Sequence, residues 1–278
     1  MKNGRSQAQY DIELDTDVCD PYTNANLTIT LSLGFRQINP ARGASEGTFN
    51  DYGDPSATAR RIVKWTTGAW ANWKKNFVAS AQAYWTGKFW LVNEQRLYDF
   101  ESKGVTYRPN IYCRFVLKGS DVSVGSHHHT IDVVRLHSSE SWFGSHSRLY
   151  DNRDTDSVEK GRDSRGKPIM QRAHVHEIGH LLGFGHVDEG KAHCPPGGNT
   201  NASACYGMAD VDKYSVMGQG MVYNESHAMP WRRAIVALSG RGSVASATDW
   251  APRLVRHYPR TAAEVAARSA ILTKLPRA

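Results

Sequence analysis

The chain of 278 residues contains no apolar run close to the roughly 18 residues that a membrane-spanning helix requires. Its first twenty residues also lack the apolar core of a cleavable secretory signal. These absences argue against a membrane span and against a signal peptide of ordinary form. If the protein is exported, we expect it to use a route without a visible signal peptide, and a cytoplasmic location is the alternative.

The sequence also lacks a dense run of positive charge, although its net charge is +7. The densest basic pairs, Arg60-Arg61 and Lys74-Lys75, fall in a segment with helical periodicity, where a solvated helix face explains them. No motif that interleaves aromatic and basic residues, as nucleic-acid readers do, is present. We therefore expect no nucleic-acid partner, and the sequence does not predict the oligomeric state.

Cysteine is scarce, and the four present are Cys19, Cys113, Cys194 and Cys205. The residues between Cys194 and Cys205 are rich in Pro, Gly and Asn, which lets the two ends of the segment meet. We therefore predict a Cys194–Cys205 disulfide, which favours an oxidising destination outside the cell. Four reduced thiols are the alternative.

Hydrophobic periodicity predicts an α+β domain with a mixed, twisted sheet. Strands are predicted over residues 26–38, 89–94, 107–119, 129–137 and 147–151. Apolar residues at helical spacing predict a long helix from Ser56 to Trp85, a second helix over 168–182 and a third over 229–238. Residues 151–168 are predicted to be an exposed loop.

The two ends of the chain differ from the middle. Residues 1–25 are predicted to be a loosely structured N-terminal leader, and residues 26–240 one domain. Residues 241–278 form a basic C-terminal extension, in which a capping box from Thr261 to Glu264 predicts a short helix.

One motif carries chemistry: His176, Glu177, His180, Gly183 and His186 form the pattern HExxHxxGxxH. Two histidines four apart on a helix share one face and can grip one zinc ion. A glycine can then end the helix by adopting a left-handed conformation, and the chain can turn to bring the third histidine back. The glutamate next to the first histidine can reach a water at the open zinc position.

These residues resemble the metzincin clan of zinc peptidases, over about residues 26–240. The clan has a methionine-containing turn beneath the zinc, and the Tyr214–Gly218 segment looks like it, with Met217 as its methionine rather than Met208 or Met221. The resemblance implies a zinc cleft, an active-site helix and an irregular C-terminal subdomain. It also implies one catalytic zinc ion on His176, His180 and His186, with Glu177 as the general base.

The resemblance implies a zinc-dependent endopeptidase whose partner is a protein or peptide substrate. Two departures leave the subfamily unassigned: Gln219 stands where some members have tyrosine, and Val187-Asp188 where matrixins have serine. Two alternatives remain open. One is a metzincin-shaped binding, structural or cargo component without catalysis, and the other is a zinc amidase that acts on a non-protein amide.

Other metal-ligand side chains are weaker candidates. His127, His128 and His129, with His137, His146 and Asp132, could frame a second metal, although a polar strand start is the preferred interpretation. Cys19 could cap the zinc and keep the enzyme latent, whereas a Cys19–Cys113 disulfide or a free thiol is the more ordinary interpretation. Asp188 and Glu189 could orient a ligand histidine or could be loop charges.

Overall fold

A computed structural model of the chain describes residues 2–16, 25–51, 55–93, 100–102, 105–107, 109–141, 147–239 and 246–255. Within these residues the fold is mixed α+β, with a core made mostly of sheet and a few helices. The helices are α1 (Thr67–Trp85), α2 (Ala173–Leu181), α3 (Asp210–Lys213) and α4 (Met229–Ser239). The described helices include none that is both long and apolar enough to cross a membrane.

The described residues form fourteen strands. In chain order they are β1 (Lys2–Ser6), β2 (Asp11–Asp15), β3 (Ala25–Ile38), β4 (Glu46–Asn50), β5 (Ala59–Val63), β6 (Phe89–Val92), β7 (Phe100–Ser102), β8 (Val105–Tyr107), β9 (Ile111–Asp121), β10 (His129–Val134), β11 (Leu149–Asp151), β12 (Val158–Arg162), β13 (Pro168–Gln171) and β14 (Ala251–Leu254).

The chain divides into two compact units. The first comprises Met1–Leu31, Trp85–Val116 and Asn224–Ala278, and the second comprises Ser32–Tyr84 and Leu117–Tyr223. The predicted domain boundaries at residues 25 and 240 stay a prediction.

In the first unit, β2 pairs antiparallel with both β1 and the first half of β3. Alternate residues of β2 and β3, such as Ile12, Leu14, Leu27 and Ile29, are buried, as the two-residue period of a strand requires. Strand β6 pairs antiparallel with β9 and β14. Helix α4 adds Trp231, which is fully buried and donates from its indole Nε1 to the carbonyl of Arg114.

The second unit contains the other half of β3, which pairs in parallel with β10, and β10 pairs in parallel with β11. Aromatic side chains fill its core. Phe35 of β3 meets Trp73 and Phe77 of α1 edge-on, with ring centroids 5.3 and 5.2 Å apart. Phe77 in turn contacts Tyr150 of β11 and His174 of α2. This aromatic cluster therefore connects the long helix to the helix that carries the histidine motif.

Several sequence predictions are confirmed. The strand predicted over residues 26–38 and the third helix agree with β3 and α4 within a residue. The strands predicted near residues 89, 111, 129 and 149 are β6, β9, β10 and β11, although most are shorter than predicted.

The predicted start of the long helix at Ser56 is wrong. Residues 59–63 form strand β5, which pairs antiparallel with β4, and α1 begins at Thr67. Thr66 caps the helix, because its hydroxyl accepts from the main-chain N–H of Ala69. Ile62 and Trp65 are buried outside the helix, so their spacing only imitated helical periodicity.

Two further predictions need correction. Residues 2–15 are not loosely structured, because they form β1 and β2, and their short alternation buries Tyr10, Ile12 and Leu14. The loop predicted over residues 151–168 contains β12, which pairs with β13. Pro168 begins strand β13, a position where proline is tolerated, and helix α2 starts only at Ala173.

We predict that Phe77→Ala lowers the free energy of unfolding by about 3–5 kcal/mol, because it empties the centre of the fully buried aromatic cluster. Lys75→Ala, on the exposed face of the same helix, is expected to change it by less than about 0.5 kcal/mol. Urea unfolding followed by tryptophan fluorescence compares the two variants. Equal unfolding midpoints would show that the cluster does not stabilise this unit.

Candidate metal centre

Helix α2 places the first two histidines of the motif. His176 and His180 lie one turn apart on this helix, eight of whose nine residues are buried. The helix ends at Leu181, and Gly183 adopts a φ of +91°, a conformation that favours glycine. The N–H groups of Gly183 and Phe184 donate to the carbonyls of His180 and Gly179, which closes the turn. The chain then returns with His186 towards the helix, as the spacing predicts.

The three imidazoles converge on one point. One ligand atom from each of His176, His180 and His186 lies within 4.8 Å of the other two. The ring centroids of His176 and His180 are 4.7 Å apart, as are those of His180 and His186. In the described part of the chain, no other group of three His, Cys, Asp or Glu residues is close enough to hold a metal ion.

A main-chain carbonyl fixes the orientation of each ring. Nδ1 of His176 donates to the carbonyl of Val216 (2.7 Å), Nδ1 of His180 to that of Phe184 (2.8 Å), and Nδ1 of His186 to that of Thr200 (2.6 Å). Because a carbonyl can only accept, each Nδ1 carries the ring proton. Each neutral ring therefore presents a lone pair at Nε2, as a metal-binding histidine must.

These lone pairs are placed where they could bind one cation. Nε2 of His176 lies 3.1 Å from Nε2 of His180, and with both protons on Nδ1 no hydrogen can bridge the two nitrogens. Nε2 of His186 is buried and has no hydrogen-bond partner among the described residues. Two nitrogens bound tetrahedrally to one zinc ion stand about 3.3 Å apart. The three residues therefore fit a small metal ion coordinated by nitrogen.

Burial keeps the histidines neutral. Together with the neighbouring imidazole of His180, it lowers the pKa of His176 to about 3. Burial also lowers the pKa of His180 and of His186. Since only neutral imidazole binds a metal, the site is ready for a metal ion at neutral pH.

Glu177 follows His176 on the same helix and is 7% exposed. Burial raises the pKa of this carboxyl from 4.5 to about 8, and the negative charge of Asp154 raises it as well, against the positive charge of Lys160. Asp154 is itself fully buried. A carboxyl group whose pKa lies near neutrality can accept and return a proton under working conditions.

Met217 lies in a tight turn over residues 215–218, closed by a hydrogen bond from the N–H of Gly218 to the carbonyl of Ser215. The side chain is 2% exposed. The main chain of this turn touches both ligand-bearing segments, because Val216 accepts from His176 and Met217 accepts from the N–H of Val187. The main chain of the turn is thus adjacent to His176 and to the residue after His186, and the Met217 side chain is buried.

Gln219 packs against strand β12. A side chain added at Gly161 of β12 would lie 2.0 Å from Oε1 of Gln219, so Gln219 occupies the space above that glycine. A Cβ at position 161 would therefore have to displace the flexible end of the Gln219 side chain. Gln171, at the end of β13, donates from Nε2 to the carbonyls of Gly218 and Gly220 and so holds the same segment.

The predicted disulfide between Cys194 and Cys205 is present, with the two Cα atoms 5.1 Å apart. Cys113 is buried and forms no disulfide with a described residue, and the alternative Cys19–Cys113 bridge stays a prediction. Cys19 itself lies outside the described residues, and its role as a latency ligand stays a prediction.

The acidic residues after His186 divide into two roles. Asp188 is buried and accepts from Lys191, from Nε2 of His193 (2.8 Å) and from the N–H of Met208 (2.9 Å). It therefore organises the loop rather than contacting a ligand histidine. Glu189 is exposed, and its negative charge raises the pKa of His180 and His186 against the larger opposing effect of burial.

The histidine triplet does not form a second metal group within the described residues. His129 begins strand β10, which agrees with the preferred interpretation of a polar strand start. Nδ1 of His128 accepts from the N–H of Ser32 at 2.9 Å. His146 lies outside the described residues.

The sequence did not indicate two residues that contact the third histidine. The ring of Tyr206 lies 3.9 Å from that of His186, centroid to centroid, and Thr200 supplies the carbonyl acceptor. Both belong to a turn-rich loop without periodicity. A main-chain carbonyl acceptor leaves no signal in the sequence. For Tyr206, the only indication was its position next to Cys205 of the predicted disulfide.

Comparisons with known proteins give no match: no protein-family model, no curated protein and no solved structure matches this chain. The three-histidine site must therefore carry the functional conclusion by itself.

We predict that Glu177→Gln makes the metal-free protein more stable than the wild type, and that this difference grows as the pH rises. The folded state raises the pKa of this group from 4.5 to about 8, so stability is lost as the pH rises through that interval. The amide does not ionise. The free energy of unfolding of the variant should therefore rise relative to that of the wild type by roughly 1.4 kcal/mol for each pH unit between those values. Urea unfolding at pH 5 and pH 8 after chelator treatment measures the difference.

Glu189→Gln, at an exposed position near the site, is the matched control for this experiment and should show no such gain. A Glu177→Gln variant whose stability follows that of the wild type at both pH values would mean that the carboxyl is not desolvated.

Proposed function

We propose that this chain is a zinc-dependent endopeptidase of the metzincin type, with His176, His180 and His186 as zinc ligands and Glu177 as general base. The single observation that carries the proposal is the convergence of three Nε2 lone pairs. Each is fixed by an Nδ1–H bond to a carbonyl, and a buried carboxyl group follows the first ligand on the same helix.

The donor set favours zinc among the common metals. Three neutral imidazoles suit zinc, and a set of three protein ligands leaves one coordination position for water or substrate, as in catalytic zinc sites. A zinc ion bound there would supply Lewis-acid polarisation of a carbonyl oxygen and would lower the pKa of a water. Structural zinc sites have four protein ligands, so the three-histidine set supports a catalytic role.

Glu177 is suited to moving a proton in both directions. Its carboxylate Oε atoms can take a proton from the attacking water and later give one to the leaving amine of a cleaved peptide. Burial and the negative charge of Asp154 raise its pKa in the metal-free protein, so the carboxyl group readily holds a proton, whereas a zinc ion bound beside it would favour the carboxylate that accepts one. The partner of this reaction would be a protein or peptide substrate.

The turn over residues 215–218 supports the metzincin assignment within zinc peptidases. Its main chain contacts both His176 and the residue after His186, and the Met217 side chain is buried. The Cys194–Cys205 disulfide supports an oxidising, extracellular destination.

We expect purified wild-type protein to bind one zinc ion per chain and to hydrolyse casein in a chelator-sensitive manner. Glu177→Ala should retain the zinc ion, because the histidines are intact, and should lose about 10²-fold or more of the activity. Metal content by atomic absorption and release of labelled peptides give the two measurements.

Glu46→Ala, which removes an exposed carboxylate of β4 that pairs with Arg61, is the control and should retain activity. Full activity in Glu177→Ala would contradict the assignment of the base. Hydrolysis of peptidoglycan fragments without hydrolysis of casein would favour an amidase. Zinc binding without turnover of either substrate would favour a non-catalytic component.

A further inference from the structure

His186 is supported differently from the other two histidines. His176 and His180 lie on α2, and their carbonyl acceptors, Val216 and Phe184, belong to the Met217 turn and to the turn that ends the helix. His186 lies on an irregular segment beyond Gly183. The contacts that hold its imidazole come from residues 194–206, the segment that the disulfide closes, which we call the clasp.

The clasp holds the His186 ring from two directions. The carbonyl of Thr200, inside the disulfide loop, accepts from Nδ1 at 2.6 Å. The ring of Tyr206, immediately after Cys205, lies 3.9 Å from the His186 ring at an interplanar angle of 37°. The Tyr206 ring also stacks near His176, with centroids 5.9 Å apart and planes 22° apart. One contact sets the direction of the Nε2 lone pair, and the other restricts rotation of the ring.

Both ends of the clasp are tied to the turn that follows His186. The N–H of Gly190 donates to the carbonyl of Cys194 (2.9 Å), and the N–H of Asp188 donates to the carbonyl of Cys205 (3.0 Å). The disulfide joins these two ends, which are eleven positions apart in the sequence. Without the covalent bond, the segment would rely on a few hydrogen bonds in a loop rich in glycine and proline.

We propose that the clasp is a positioning element for the third metal ligand, and that Tyr206 is the positioning residue within it. The inference rests on the three-histidine metal site of the proposed function, although it concerns metal affinity rather than peptide hydrolysis. Loss of the clasp leaves His176 and His180 in place on α2, so the site falls from three well-oriented ligands towards two. Outer partners of metal ligands typically contribute about 10- to 100-fold to affinity.

The test measures metal affinity on the full chain. Zinc dissociation constants are obtained by competition with a chromophoric chelator, and the visible absorption of bound Co²⁺ reports the number of ligands. We expect about 10- to 100-fold weaker zinc binding in Tyr206→Ala and in the Cys194→Ser/Cys205→Ser double variant. Their Co²⁺ spectra should move towards that of His186→Ala.

Two further variants make the test specific. Tyr206→Phe keeps the ring and should bind zinc within about threefold of the wild type. Val211→Ala truncates a side chain of α3 in the same unit that is 75% exposed, and it should leave affinity unchanged. Thermal unfolding of each metal-free variant shows whether it is folded. If the double variant does not fold, the comparison of Tyr206→Ala with Tyr206→Phe tests the proposal.

Wild-type affinity in folded Tyr206→Ala would overturn the role of Tyr206, and wild-type affinity in the folded double variant would overturn that of the disulfide. A loss in Tyr206→Phe equal to that in Tyr206→Ala would show that ring packing is not the cause. These outcomes are independent of proteolysis, because zinc affinity is measured whether or not casein is cleaved. Absence of zinc binding in the wild type would instead contradict the proposed function.

Discussion

Each of the three imidazoles at the site donates a hydrogen bond from Nδ1 to a main-chain carbonyl. The three acceptors, at residues 216, 184 and 200, lie on separate segments. This arrangement fixes both the tautomer and the direction of every Nε2 lone pair. Because the acceptors are main-chain atoms, the site depends on the course of the chain rather than on the side chains at those positions. The helix end, the Met217 turn and the disulfide loop therefore together orient the three histidines.

Helix α2 packs in the core of its unit, yet it carries a buried carboxyl group whose ionisation is unfavourable. Glu177 is buried beside the charge of Asp154, which disfavours its ionised form in the metal-free protein. The surrounding core offsets this cost, because Phe77 packs against both Tyr150 and His174, the residue two positions before His176. Functional sites in proteins often reduce the stability of the folded state, and the packing of the surrounding core offsets this loss.

Local features of the site were predictable, whereas its long-range contacts were not. The spacing of His176, His180 and Gly183 follows helical geometry, so the shared face and the end of the helix could be predicted. The acceptors and Tyr206 could not, since hydrogen bonds to main-chain carbonyls and ring contacts across a loop arise only from tertiary structure. The fold shows the same limit: the mixed α+β class was correct, but Ile62 and Trp65 imitated a helix, and the short β1–β2 hairpin carried too weak a pattern.

Helix α2 has only nine residues, and isolated helices shorter than about 12–15 residues are marginal in water. Two of the three histidines therefore share a face only while the surrounding unit is folded. A metal ion that binds only the folded chain stabilises it by mass action, by about 4.1 kcal/mol at a thousand times the dissociation constant. For the metal site that we propose, we expect scarce free metal to make the chain open more often and to speed its degradation by proteases of the surroundings. The metal supply would then set how long each molecule of this protein persists.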